Sequence, residues 1–483
     1  MSDAAATRQL FGITRGDYEG RLDVQFYLPK HHELERRMQS CGFPIHRIGS
    51  AAVSIQVIDG PFGSDLKVDD YVPDGVPLLR VSNCRTGLIQ VDDEMVFISE
   101  AKHDELIRSE VLPGDVLLTK AGAILGYSAV FPAELKRGNI TSHLASIRPA
   151  TGVESRYLCE FLTSSIGIQQ IYRWGNKSTR PELNTDEVRA LEIVLPPPLK
   201  QRELLETMDA ARAKMCSKLA EADTLLAELD NFLLATLGLS SPPRDDRKVF
   251  AAHRADVSAR FDPHFHLPAL AQNTRMLIAG GAKPLGSLVA FSNETWKPNE
   301  HAMPMFRYIE ISNVNSNTGE AHAEDVPVAE APSRARMIVR TNDIIVSLTR
   351  PHHGSIALIS PEMNECVAST GFSVLRGVDE GRLNREYLWC VLRSKLCLLQ
   401  MQQRASGGNY PAIAEPELAK LLVPVPKTAV QGIIATEAGR RRDEARRLRA
   451  EAEGHWRAAR QWFEEQLLGP AVAGVPQHPS PSR

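Results

Sequence analysis

The sequence contains one pattern twice, and this internal repeat limits the possible folds more than any other feature. Residues 21–29 (RLDVQFYLP) correspond to residues 260–268 (RFDPHFHLP), and residues 114–119 correspond to 342–347. Residues 157–196 align with 387–426 without a gap at an offset of 230, and nine of these forty positions are identical. A period near half the chain length is typical of two copies of one structural unit. We therefore expect two similar domains in tandem.

Each copy shows the same order of local patterns. Short β-rich runs, such as 116–119, 128–131 and 344–347, are separated by Gly, Asn, Asp and Pro, which is typical of strands joined by turns. Helical stretches are predicted at 157–163 and 387–393. Each copy then reaches a cluster of prolines, through which a helix cannot continue.

A long helix is predicted after each proline cluster, at about 201–236 and 430–467. Apolar residues in the first segment alternate at spacings of four and three, which indicates a heptad seam. The first seam contains Leu204, Met208, Ala211, Met215, Ala222, Leu225, Leu229 and Phe232. The second, weaker seam contains Ile434, Ala438, Ala445, Leu448, Ala452, Ala459 and Trp462. We expect the two seams to cover each other.

These patterns predict an α+β chain in which two repeated β-rich domains are joined by two long antiparallel helices that form a coiled coil. The first domain is predicted at 1–198 and the first helix at 199–238. The second domain is predicted at 239–427 and the second helix at 428–469. Residues 470–483 are rich in Pro, Gly and Ser, so this tail is expected to be disordered.

The composition excludes several classes of protein. The chain has 483 residues, of which 43% are hydrophobic, and no apolar run approaches the length of a membrane span, so we expect a cytoplasmic protein without membrane contact. The net charge of -3 argues against a large basic face, and the first domain is the more acidic one. Seven cysteines without CxxC spacing argue against a disulfide framework or a zinc ribbon, so we expect buried thiols.

No motif predicts catalysis, a metal or a cofactor in this chain. It lacks a P-loop and the Asn/Asp-Pro-Pro-Tyr/Phe tetrapeptide of amino-methyltransferases. Glu134 and Lys136 with Asp115 weakly resemble a metal-dependent nuclease, but the second copy has no equivalent, so an exposed turn is the favoured interpretation. The histidine pairs, such as His352 with His353, lack ligands at matching spacing.

A run of arginines at 440–442 lies in the second long helix. It could indicate a nucleic-acid patch, but acidic residues are interleaved with the basic ones along that helix. A solvated helix face with pairs within the helix is therefore the favoured interpretation.

The repeated arrangement resembles the specificity (S) subunit of Type I restriction-modification systems. The motifs that carry the resemblance are 77–80 with Asn83 and Gly87, 112–118 with Gly126, and 196–201, together with their counterparts in the second half. Each motif is weak by itself, but their order, repeated twice, is specific.

This resemblance implies a non-catalytic, DNA-binding subunit with two target recognition domains, each reading one half of an asymmetric bipartite site in double-stranded DNA. The long helices would form a spacer and bind two methyltransferase subunits per chain, which would carry S-adenosylmethionine for DNA methylation. A restriction and translocation subunit would be a further partner in phage defence. Two alternatives stay open, namely a specificity module of another DNA-modification or phage-defence complex and a scaffold that binds only protein.

Candidate DNA-binding residues lie mainly in two aligned loops, 173–180 and 404–411. Their cations, amides, hydroxyls and aromatic side chains suit contacts with bases and phosphates, and Gly175, Gly407 and Gly408 would allow close backbone approach. A solvated connection is an equally good interpretation of these loops. The full set of candidates is Lys120, Ser142, His143, Arg173, Asn176, Lys177, Arg180, Arg350, His352, Arg404, Asn409 and Tyr410.

Overall fold

The computed structural model of the chain describes residues 23–61, 65–91, 95–122, 125–175, 181–240, 249–251, 257 and 261–470. These residues fall into two compact units, one drawn from Met1–Met215 with Glu453–Arg483 and the other from Cys216–Ala452. The two long helices, α6 (Pro198–Leu237) and α11 (Thr428–Leu468), each contribute to both units.

Unit 1 holds six helices and thirteen short strands among its described residues. The helices are α1 (Pro29–Gln39), α2 (Glu100–Glu105), α3 (Ser155–Thr163), α4 (Ser165–Gly175), α5 (Thr185–Ala190) and the first part of α6. The strands are β1 (Ile45–Arg47), β2 (Gln56–Asp59), β3 (Tyr71–Val72), β4 (Val76–Leu79), β5 (Cys84–Arg85), β6 (Leu88–Ile89), β7 (Val96–Ile98), β8 (Glu110–Val111), β9 (Val116–Thr119), β10 (Ser128–Val130), β11 (Gly138–Ile140), β12 (Leu144–Arg148) and β13 (Glu192–Val194).

Unit 2 repeats much of this order. Its own helices are α7 (Pro268–Ala279), α8 (Arg385–Arg393), α9 (Lys395–Arg404) and α10 (Glu415–Leu418). Its strands are β14 (Lys283–Pro284), β15 (Ala290–Phe291), β16 (Met305–Ile309), β17 (Glu324–Pro327), β18 (Ala335–Ile338), β19 (Ile344–Ser347), β20 (Ile356–Leu358), β21 (Val367–Ser369), β22 (Phe372–Arg376) and β23 (Leu422–Val423).

The sheets of the two units have matching topology. An antiparallel sheet has the order β10-β9-β12-β2 in unit 1 and β20-β19-β22-β15 in unit 2. A second sheet contains one parallel pair in each unit, β4 with β11 and β16 with β21. The pair β1-β13 corresponds to β14-β23. The predicted repeat of a β-rich unit is therefore confirmed at the level of strand order.

The central strand of each antiparallel sheet is buried on both faces. In β9, Val116 and Leu118 contact the core that contains α3, whereas Leu117 faces a second core below the sheet. In β19, Ile344 and Val346 alternate with Ile345 in the same way. A strand with two covered faces has a continuous apolar sequence rather than an alternating one, which explains why both runs were recognisable from sequence.

Several polar residues that are identical in the two copies are buried and donate hydrogen bonds to main-chain carbonyl groups. The Tyr157 hydroxyl donates to the Val194 carbonyl at 2.5 Å, and the Tyr387 hydroxyl donates to the Pro424 carbonyl at 2.9 Å. Gln201 likewise donates to the Pro196 carbonyl at 2.8 Å, as its counterpart in α11 does to Pro426. Buried polar groups without partners are costly, so these positions tolerate little change.

The long helices run antiparallel within unit 2. Lys218 of α6 forms an ion pair with Glu451 of α11, and Asp223 accepts a hydrogen bond from Arg449 at 2.7 Å. Ala222 packs in the seam against α11, where Leu448 is also buried. The predicted antiparallel seam is therefore confirmed in this unit.

Within unit 1, the remaining parts of the same helices pack into the core of the domain. Leu204 and Met208 of α6 belong to the same core as Phe463 and Leu467 of α11. Phe463 is the buried aromatic residue at this level, whereas the predicted seam residue Trp462 is only half-buried.

The remaining expectations about helices, thiols and the tail have mixed outcomes. Arg440 and Arg441 both donate to Glu437, as expected for a solvated helix face, and they hold the pKa of the Glu437 carboxyl down at about 2.

Five cysteines are buried, but Cys216 is exposed, so the expectation of buried thiols is wrong there. Residue 470 ends the described part of the chain, and 471–483 lie outside it. No helix among the described residues is long and apolar enough to span a membrane.

Candidate nucleic-acid interface

Two loops of unit 2 that are distant in sequence are joined by main-chain hydrogen bonds. Thr349 forms an isolated antiparallel bridge with Ala412. The Arg350 N–H donates to the Pro411 carbonyl at 2.7 Å. These bonds fix one surface, which we call the unit 2 loop surface and define by Arg350, His352, His353, Asn409 and Tyr410.

Arg350 and Tyr410 are the main side chains of this surface. The Arg350 guanidinium lies over the Tyr410 ring, 4.5 Å from its centroid, and donates to the Asn409 carbonyl at 2.9 Å. No other side-chain hydrogen bond of Arg350 is found within the described part of the chain. Tyr410 is 71% exposed. The surface therefore presents a pre-oriented guanidinium with remaining N–H donors next to an open aromatic ring.

The backbone at Arg350 is strained. Its φ of 46° and ψ of 50° lie in the left-handed region, which costs a non-glycine residue about 1 kcal/mol or more. The following Pro351 begins a 3-10 turn that carries both histidines of the surface. Such conformations persist where the surrounding structure holds them, and they concentrate at functional sites.

The two histidines differ in their environment. Burial, together with the positive charges of His353, Arg350 and His264, lowers the pKa of His352. The His352 ring therefore binds a proton less readily than a free histidine does, and its buried Nδ1 has no hydrogen-bond partner among the described residues. His353 is exposed, and its ring centroid lies 4.6 Å from that of His352.

In unit 1, the candidate Lys120 is joined by a main-chain hydrogen bond to the segment that contains the candidates Ser142 and His143. The Lys120 N–H donates to the His143 carbonyl at 3.0 Å. However, the Lys120 side chain is only 8% exposed, and its Nζ lies 2.5 Å from Asp59. The charge of Lys120 is therefore neutralised by a carboxylate that the sequence analysis did not identify. Asp59 lies far from Lys120 in sequence, so no local pattern predicted the pair.

The other candidates of unit 1 divide into two groups. Asn176, Lys177 and Arg180 lie outside the described residues. Arg173 was predicted in a loop, but it lies in the last turn of α4, so that prediction is wrong.

The Arg173 side chain points into unit 1, where it binds two residues near the start of the described chain. Its side chain is 9% exposed, forms an ion pair with Glu35 and donates to the Phe26 carbonyl at 2.9 Å. In the other copy, Gln403 donates in the same way to the Phe265 carbonyl at 2.8 Å. This repeated bond assigns a structural role to Arg173.

Arg404 also has a different place from the one predicted. It is the last residue of α9 rather than part of a loop, and its Nη1 donates to Glu417 at 2.9 Å. Its side chain is 14% exposed. Of the glycines expected to allow phosphate approach, Gly175 packs against Leu125, whereas Gly408 is open to its surroundings.

Metal-dependent chemistry finds no support at the candidate nuclease residues. Asp115 accepts two hydrogen bonds from Arg148, at 2.8 and 2.7 Å, and Asp343 pairs with Arg376 in the same way in unit 2. The Asp115 carboxylate therefore belongs to an ion pair that stabilises unit 1. Within the described ranges, no group of three or more His, Cys, Asp or Glu side chains is placed to hold a metal ion.

Several solved structures are similar to this chain, and three of them match it along nearly its whole length. A structure described as showing complex assembly and conformational transition of the type I R-M system has a TM-score of 0.42 and 16% identity, covering 88% of this chain and 97% of that chain. The S subunit of the Type I restriction-modification system from M. genitalium has a TM-score of 0.40 and 12% identity, covering 90% and 98%. The HsdS subunit from Thermoanaerobacter tengcongensis has a TM-score of 0.34 and 14% identity, covering 89% and 98%. No protein-family model and no curated protein matches the sequence.

Proposed function

We propose that this chain is the specificity subunit of a Type I restriction-modification complex and that each unit reads one half of an asymmetric, bipartite DNA site. The unit 2 loop surface is the observation that carries this proposal. It presents Arg350 and Tyr410 from two loops that are fixed by main-chain bonds. Guanidinium groups are the commonest readers of guanine edges in the major groove, and they also bind phosphates.

The repeat supports the bipartite part of the proposal. Two units of matching topology carry different side chains at their loops, with Lys120 neutralised by Asp59 in one and Arg350 available in the other. Two readers that differ at their contact surfaces would recognise two different half-sites, and the protein between them would fix the spacing.

The chain would act without catalysis of its own in a cytoplasmic complex. The partners in this proposal are double-stranded DNA, two methyltransferase subunits that bind S-adenosylmethionine, and a restriction subunit. The ion pair of Asp115 with Arg148 supports this division, because it gives the carboxylate of the candidate nuclease cluster a structural role.

DNA affinity of the full chain, in complex with its methyltransferase partner, tests the proposal. The duplexes would carry the motif found by methylome sequencing of cells with and without the chain, and affinity would be measured at several salt concentrations. We expect specific binding that weakens with salt. An Arg350→Ala complex should either relax one base position, with a loss of about 1 to 3 kcal/mol, or bind all sequences less well with a smaller salt dependence.

The matched control is Arg440→Ala. It also removes one positive charge, but from an arginine of α11 that forms an ion pair with Glu437. This variant should bind like the wild type. If the wild-type complex shows no preference for any duplex, the chain is a scaffold for proteins only. If Arg350→Ala and the control behave alike, the unit 2 loop surface does not contact DNA.

A further inference from the structure

A small cavity in unit 2 lies where α6, α8 and α11 meet. Its volume is about 70 Å³, and it is lined by apolar side chains of α6 together with Asp230, Trp389, Cys390, Arg393 and Arg442. The loop before Gly319 closes one side, since a Cβ at Gly319 would lie 2.5 Å from the Trp389 ring. This volume exceeds that needed for one water molecule several-fold.

Two arginines at this cavity lack an anionic partner. The Arg393 and Arg442 guanidinium groups lie 5.0 and 4.5 Å from the centroid of the Trp389 ring. Arg393 donates to four neutral carbonyl groups, those of Ser316, Asn317, Gly354 and Ile356. Neither arginine forms an ion pair with a carboxylate in the part of the chain that the structure describes. Burial and the neighbouring Arg442 together lower the pKa of Arg393 to about 10, which is the direction expected of a cation without a counter-ion.

Two buried donors at the cavity are also unpaired. Trp389 is 2% exposed, and its Nε1–H has no hydrogen-bond partner among the described residues. The same holds for the Nε–H of Arg442. A buried indole N–H normally finds an acceptor, because leaving it unpaired costs the full desolvation of the group.

The repeat shows what the cavity lacks. At the offset of 230, Arg442 corresponds to Arg212 of unit 1, and Cys390 corresponds to Glu160. Glu160 forms an ion pair with Arg212 within unit 1. Unit 2 has a thiol at the position of this carboxylate and, in Arg393, an additional cation where unit 1 has Thr163. Unit 1 therefore supplies its own anion, whereas unit 2 does not.

A carboxylate, that of Asp230, also lines the cavity, but it forms no ion pair with either arginine in the described part of the chain. Its Oδ1 accepts from the Lys395 N–H at 3.0 Å, whereas its buried Oδ2 lies 4.0 Å from the Lys395 Nζ and has no hydrogen-bond partner among the described residues. Asp230 therefore serves the start of α9 and does not neutralise the two arginines.

We propose that this cavity binds a small oxyanion, such as phosphate or a small carboxylate, which takes the place that Glu160 fills in unit 1. The anion would accept hydrogen bonds from the Trp389 and Arg442 donors and would offset the charge of Arg393. It would thereby link the two long helices to α8 within unit 2.

Titration of the full chain with inorganic phosphate tests this site, with sodium chloride at equal ionic strength as the reference. We expect one saturable site per chain by calorimetry and a rise in Tm of about 3 °C or more at saturation. Trp389→Phe keeps the ring but removes the N–H, so phosphate affinity should fall about tenfold. Arg442→Gln should abolish phosphate binding.

Cys390→Glu is the most specific variant, because it gives unit 2 the carboxylate that unit 1 has. We expect it to remove the response to phosphate. The matched control, Arg212→Gln, changes the equivalent arginine of unit 1 and should retain that response. The proposal is overturned if the wild type shows no saturable effect of phosphate. It is equally overturned if folded Trp389→Phe and Arg442→Gln proteins bind phosphate as the wild type does.

Discussion

At the scale of single residues, Arg404 is expected to stabilise unit 2 rather than to read DNA. Its guanidinium is largely covered and bonds to Glu417, which also pairs with Lys420. We therefore expect Arg404→Ala to lower the free energy of unfolding by about 1 kcal/mol, as is typical of a partly buried charged pair. The methylated motif should not change. Chemical denaturation and methylome sequencing of the same variant would check both statements, and a changed motif with unchanged stability would contradict this role.

The lowered pKa of His352 predicts a pH dependence of stability. An unfolded histidine titrates near pH 6.5, whereas folded His352 takes up its proton only at lower pH, because the site is buried and positively charged. As the pH falls below about 6.5, the unfolded state gains a proton that the folded state does not, so stability is lost. His352→Gln should therefore show a smaller fall in Tm between pH 7.5 and 5.5 than the wild type. Equal falls would show that His352 does not contribute.

The difference between Arg350 and Arg404 was not visible in the sequence. Both lie near Gly, Ser and Pro residues in the sequence, and both were named as candidate DNA-binding residues. What separates them is a partner from another part of the chain, Glu417 for Arg404 and the Asn409 carbonyl for Arg350. Side-chain direction at such positions depends on tertiary contacts, which local patterns do not contain.

At the scale of elements, the sequence predicted best where one local pattern dominates. The doubly buried strand β19 was predicted at 344–347, and these are its observed bounds. The helices α1 and α7 were not predicted, since each begins at a proline and has a mixed sequence. Proline is compatible with the first position of a helix, and the proline in each repeated motif is where the helix begins.

The proposed role of the long helices as a spacer can be tested by shortening both of them. Residues 216–222 of α6 and 446–452 of α11 run past each other within unit 2, where Lys218 pairs with Glu451. Deleting both heptads should keep the seam in register and shorten each helix by about 10 Å. Under the proposed function, the gap between half-sites should then shrink by about 3 base pairs.

Methylome sequencing of cells that carry this double deletion would measure the gap. A deletion of only one heptad, which breaks the register of the seam, serves as the control and should reduce assembly. An active complex that keeps the original gap would show that the helices do not set the spacing.

At the scale of the whole molecule, the repeat explains both what the sequence could predict and what it could not. The sequence predicted that one β-rich unit occurs twice, and the strand order of the two units does match. The candidate loops are a part in which the copies differ, since unit 1 pairs Lys120 with Asp59 and unit 2 places Arg350 over Tyr410. The sequence repeat therefore does not predict the side chains that either unit presents at these loops.

The central claim is that each unit independently specifies one half of a bipartite DNA site. The most direct measurement is the methylated motif of cells in which residues 239–427 are replaced by the corresponding segment of a homologous subunit. We predict that one half of the motif changes to that of the donor, while the other half and the presence of a gap are retained. An active complex in which both halves change, or in which neither does, would contradict the claim.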